Sequence, residues 1–113
     1  MLILKVVGSL ACILIAIMGI ALSIPLIKGR IQMNPTYGIR IPKSFQSDEN
    51  WHKINQYGAR RLILWSTILL GLGVLLLFIP LNGVAAFVIS VFLIIIFIAV
   101  IPIIEILRFA KKL

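Results

Sequence analysis

The side chains able to do covalent chemistry are few. The acids are Asp48, Glu49 and Glu105, the one histidine is His52, and the one cysteine is Cys12. Hydrolysis or group transfer needs an acid, a base, a nucleophile or a metal brought to one point. Asp48 and Glu49 are neighbours and would point about 100° apart on a helix, so they do not converge. One cysteine and one histidine exclude an internal disulfide and a zinc cluster. Cys12 reads as a small buried thiol and His52 as a solvated side chain. We therefore expect no catalytic residue, no metal, no cofactor and no enzymatic activity. What remains is recognition.

The elements that must position these residues follow from composition. Of 113 residues, 62% are hydrophobic and 12% charged, where a soluble domain carries about a quarter. Mean hydropathy is +1.19. Three runs hold no charge at all, Val6 to Ile27, Leu62 to Leu81 and Gly83 to Ile104. Each is long enough to cross a hydrocarbon core of ~30 Å. The sequence therefore predicts one all-α integral membrane domain over 1–113. Its transmembrane spans lie at about 4–27, 62–81 and 83–104, with a polar segment over 28–61. None of the three charge-free runs contains Asp, Glu, Lys, Arg or His. Proton relays and ion pathways use such residues at membrane depth. Their absence argues against transport by this chain alone and leaves room only for a homo-oligomer that uses backbone groups.

Net charge is +8, and its placement sets orientation. Lys28, Arg30, Arg40, Lys43, Lys53, Arg60 and Arg61 lie between the first two spans, and Arg108, Lys111 and Lys112 follow the third. Those ten share one side of the membrane, and Lys5 alone is on the other. The positive-inside rule puts the richer side, with the C-terminus, in the cytoplasm and the N-terminus outside. Lys5 and Ala21-Leu22-Ser23 faintly suggest a signal peptide. Cleavage there would leave the basic segment outside, so the first span is read as retained. The charges hug the membrane ends, which suits lipid head groups and not direct nucleic-acid binding.

Packing signals are also present. Gly8, Cys12, Ala16, Gly19 and Ser23 form one stripe of small residues, with Ser66, Leu70 and Gly73 as a complementary face on the second span. The third span lacks such a stripe and is expected to face mostly lipid. Pro80-Leu81-Asn82-Gly83 predicts a tight turn and an antiparallel hairpin. Pro102 should bend the third span, and Glu105 and Arg108, three apart, should pair.

In the polar segment, Asn34-Pro35, Tyr37-Gly38 and Pro42 are breakers, so a compact loop is expected, with Gly38 in a positive-φ or close-approach position. Ser47 should cap a helix whose first turn carries Asp48 and Glu49. Trp51, Ile54, Gly58 and Arg61 then share one edge. Trp51 and Tyr57 suit the head-group belt. The helix should rest in the interface and enter the second span through a bend near Gly58. Asn34 and Asn55 read as loop and helix hydrogen-bonders.

This segment resembles the signature of the SdpI family. The resemblance rests on Asn34, Tyr37-Gly38-Ile39-Arg40, Pro42, Ser47-Asp48-Glu49-Asn50-Trp51 and the stretch from Asn55 to Gly58. Ile41 departs from it, since threonine is usual there. Membership would imply a multi-pass protein of the bacterial cell membrane that binds or neutralises a membrane-active peptide toxin, or signals its presence by holding a cytoplasmic repressor at the membrane. By that analogy the binding residues would be Asn34, Tyr37, Gly38, Arg40, Pro42, Trp51 and Asn55. Arg40 would contact an anionic group, because its planar guanidinium donates paired hydrogen bonds to phosphate or carboxylate; its other reading is head-group anchoring or a bond to the carbonyls of its own loop. The alternative is a protein that binds lipid head groups, or an accessory membrane subunit, without catalysis.

Overall fold

A computed structural model describes residues 2–113 and is all-helical among them. Helix α1 spans Leu2–Ile27, α2 Asp48–Phe78, α3 Gly83–Ile94 and α4 Ile101–Ala110. Helices α3 and α4 are joined without a break through a π-helical stretch, Ile95–Val100, so Gly83–Ala110 forms one continuous third span. Three helices are thus long and apolar enough to cross a membrane, as the charge-free runs require.

The ends of the helices are set by local chemistry. At the end of α1, Arg30 N–H donates to the Pro25 carbonyl at 3.1 Å and Gly29 N–H to Leu26 at 3.2 Å, with Gly29 at φ 69°. That crossed pair is a Schellman termination. Ser47 caps α2, its Oγ accepting from Asn50 N–H at 3.0 Å, with Asp48 and Glu49 in the first turn. Asn82 caps α3 by accepting from Ala85 N–H at 2.8 Å, which fixes the short hairpin after Pro80.

Helix α2 carries the capped segment and the second span as one uninterrupted helix of 31 residues, about 46 Å long at 1.5 Å per residue. It therefore outreaches a ~30 Å core and projects from one membrane face. Gly58 is not a break in it. It is buried, and a Cβ there would meet Ile39 Cδ1 and crowd Ile106 at 3.0 Å. The missing side chain is used for packing, and the helix runs uninterrupted through the position.

Helix α1 packs along α2 and against α3. Cys12, Ala16 and Leu69 form a fully buried cluster, bordered by Leu70, Leu93 and Phe97. The small stripe of α1 serves two partners. Gly19 lies against Ser66, and Cys12 against Gly73, on α2; Gly8 lies against Ser90 on α3. The third span does carry its own small stripe, Gly83, Ala86 and Ser90, all buried. Bulky Ile, Val and Phe neighbours dominate its composition, yet one narrow face of small residues suffices for close approach. The rest of that span is largely exposed, as a lipid-facing helix would be.

Around Pro102 the chain widens into the π stretch, with Ile101 N–H bonding the Ile96 carbonyl. A proline lacks the N–H and crowds the carbonyl four residues earlier. The extra residue in the π turn absorbs that misfit.

A leucine at Gly73 would collide with Cys12 Cβ, 2.8 Å from an added Cβ, and the Ser9 carbonyl at 3.3 Å. Gly73→Leu should lower stability by about 1–3 kcal/mol, as overpacking does. Gly71 has nothing within 4 Å, so Gly71→Leu should leave the thermal midpoint in detergent unchanged. Equal midpoints for both variants would contradict this packing.

Candidate functional site

The polar segment folds into a collar at the end of the bundle where α1 stops and α2 starts. Asn34 organises its first turn. Its Oδ1 accepts from Thr36 N–H at 2.9 Å and Tyr37 N–H at 2.6 Å, while Nδ2 donates to the carbonyls of Gln32 at 2.7 Å and Tyr37 at 3.0 Å. An asparagine side chain can mimic the backbone in this way, which is why it suits a turn. Tyr37 then ties the turn to α1, its hydroxyl donating to the Leu22 carbonyl.

Asn55, buried on α2, fastens the next stretch. Its Oδ1 accepts from Ile39 N–H at 2.6 Å, and Nδ2 donates to the Trp51 carbonyl at 2.9 Å. Gly38 runs directly over this helix at φ 114°, where an added Cβ would meet Asn55 Oδ1 at 2.8 Å and the Trp51 ring at 3.0 Å. Both reasons for glycine, positive φ and close approach, coincide. Gly38→Ala should therefore cost about 1–3 kcal/mol through strain and crowding, read as a lower thermal midpoint.

Trp51 departs from the expected head-group anchor. It is 0% exposed, lies under the collar, and donates from Nε1 to the Ile31 carbonyl at 2.9 Å. This indole, reaching inward, gives the collar a hydrophobic base with a hydrogen-bond tip. Phe45 packs against it with ring centroids 5.6 Å apart. Tyr57 stacks on Phe109 of α4 at 4.2 Å.

Arg40 is exposed and donates from Nη1 to the Pro35 carbonyl at 2.6 Å. Pro42 opens a single 3-10 turn, Pro42–Phe45, in which Ser44 Oγ accepts from Ile41 N–H at 3.0 Å and donates to its carbonyl at 2.7 Å. Asn34, Tyr37, Gly38, Trp51 and Asn55 are thus drawn into one hydrogen-bonded unit. Arg40 and Pro42 lie at its outer edge.

Charges show a second feature. Glu105 does not pair with Arg108. Its Oε2 accepts from Arg61 Nη2 at 2.7 Å and its Oε1 from Trp65 Nε1 at 2.6 Å. Arg61 and Trp65 are four apart on α2 and present one face to α4. Two charge-assisted bonds in a partly buried site outweigh a single exposed pair three residues away. Glu49 lies on the open side of α2, where a hydrogen bond from the Lys53 ammonium at 2.6 Å holds its carboxyl below the usual carboxylate range. A depressed carboxylate helps folding above its ordinary range and loses that help as pH falls. Exposure keeps the contribution small.

Trp65 and the Arg61–Glu105 pair escape sequence reading. Their partners are far apart in the chain, and the one available clue is the i,i+4 spacing of Arg61 and Trp65.

A three-span helical bundle with a basic, asparagine-pinned collar at one end defines a small multi-pass membrane protein. The sequence pattern of the SdpI/YfhL protein family matches residues 30–105, the collar together with α2 and most of the third span. The chain belongs to the SdpI/YfhL family. No curated protein and no solved structure matches the chain significantly.

Proposed function

We propose that this chain is a non-enzymatic binding protein of the SdpI type, giving immunity to a membrane-active peptide toxin or signalling its presence through a cytoplasmic repressor. Family membership over residues 30–105 is the observation that carries this reading. The matched stretch contains the collar, whose ordered surface supports a binding role. Two of the three side-chain carboxylates are engaged elsewhere, Glu49 with Lys53 and Glu105 with Arg61, which favours recognition over catalysis. We place the collar and C-terminus in the cytoplasm from the charge asymmetry.

The test is survival. Susceptible bacteria expressing the chain should outlive vector controls when challenged with membrane-active peptides of the killing-peptide class. Unchanged survival against every such peptide, at verified membrane levels of the protein, would rule out immunity. A cysteine at Asn82, in a Cys12→Ser background, should react with an impermeant maleimide on intact cells, and one at Thr36 only after permeabilisation.

One observation favours the lipid-head-group alternative. Exposed Arg40 uses a single nitrogen on Pro35 and keeps the rest of its fork for an anion. Loss of protection in Arg40→Gln, with membrane levels unchanged, would assign Arg40 to toxin or repressor binding. Unchanged protection would leave it to head groups.

A further inference from the structure

A groove of about 570 Å3 opens where the collar meets the end of the third span. It is lined by apolar Ile41, Pro42, Leu107 and Ala110 together with Lys43, Gln46 and Lys111. No carboxylate lines it. The ion pairs among the described residues are Lys53–Glu49 and Arg61–Glu105, so both groove lysines lack an acidic partner.

The groove is continuous with the lipid-facing surface. Ile103, Leu107 and Lys111 recur every four residues and form one stripe along α4 and its C-terminal cap. Ile103 and Leu107 are 53% and 46% exposed. The stripe therefore passes from apolar side chains at acyl-chain depth to an ammonium at the end of the helix. A soluble anionic partner would use the lysines and leave that stripe uncovered. A molecule with an apolar tail and an anionic head matches both parts at once.

We propose that this groove binds an anionic phospholipid of the adjoining leaflet. Lys43 and Lys111 hold its phosphate, and Leu107 and Ile103 carry the start of an acyl chain. Two unpaired cations favour a head group of net negative charge over a zwitterionic one. The site is separate from the Arg40 fork, and it stands or falls independently of toxin resistance.

Native mass spectrometry of the full chain in detergent tests this, with phosphatidylglycerol, phosphatidylcholine or inorganic phosphate added separately. Phosphatidylglycerol adducts should exceed phosphatidylcholine adducts by about tenfold, given two lysines acting near a membrane surface. Lys43→Gln with Lys111→Gln should abolish the preference. Lys28→Gln with Lys112→Gln removes the same charge away from the groove and should preserve it. Equal binding of the two lipids by the unaltered chain would overturn the proposal without recourse to any variant. So would equal loss in both double variants, or an inorganic phosphate adduct that matches the phosphatidylglycerol one.

Discussion

Trp51→Ala should cost about 3–5 kcal/mol, the usual penalty for truncating a buried tryptophan. The ring is fully buried beneath the collar, and its Nε1 is the donor for the Ile31 carbonyl. Truncation removes the floor on which Gly38 rests and takes away the contact with Phe45. The three spans have their own interface at Cys12, Ala16 and Leu69, so helix content should persist. The expected result is a large drop in thermal midpoint, with proteolysis confined to the collar and circular dichroism close to that of the parent. Trp51→Phe keeps the apolar floor and loses only the hydrogen bond, so it should recover most of the loss. If Trp51→Ala left both midpoint and proteolysis unchanged, the indole would be a surface anchor after all.

The second large effect lies across the bundle. Glu105→Ala strips Arg61 of its carboxylate and Trp65 of its acceptor together. The Arg61 and Glu105 side chains are 33% and 23% exposed, so the penalty of a dry ion pair must be discounted. We expect about 2 kcal/mol. Removing both ends should hurt less than removing one, because no charge is left stranded. Arg61→Leu combined with Glu105→Leu should therefore restore much of the lost midpoint. Strict additivity of the two single substitutions would refute coupling between α2 and α4 at this point.

Much of the architecture is legible in one dimension. Charge-free length marks the spans, Pro80 to Gly83 marks the hairpin, and Ser47 marks the start of α2. Each of these signals is local, set by the residues that form the element. Gly38 was legible for the same reason, since a glycine between a tyrosine and a β-branched residue stands out as a backbone requirement. The errors share the opposite property. The type of Trp51 suits the head-group belt, while its actual partner is the Ile31 carbonyl twenty residues upstream. Spacing alone pairs Glu105 with its neighbour Arg108, while its partners lie on another helix. The small residues of the third span are hidden in its average composition by their bulky neighbours. Polar groups at such a boundary are satisfied through tertiary contacts, and neither periodicity nor composition records those.

Residues 28–47 form a folded collar fixed to the helices and not a mobile linker. Amide hydrogen exchange in lipid nanodiscs reads it directly. The amides of Thr36 and Tyr37, bonded to Asn34, and of Ile39, bonded to Asn55, should exchange many-fold more slowly than an unstructured peptide. Asn55→Leu should release Ile39 while leaving the middle of α2 protected. Exchange of all three amides at the unstructured rate in the unaltered protein would contradict the account.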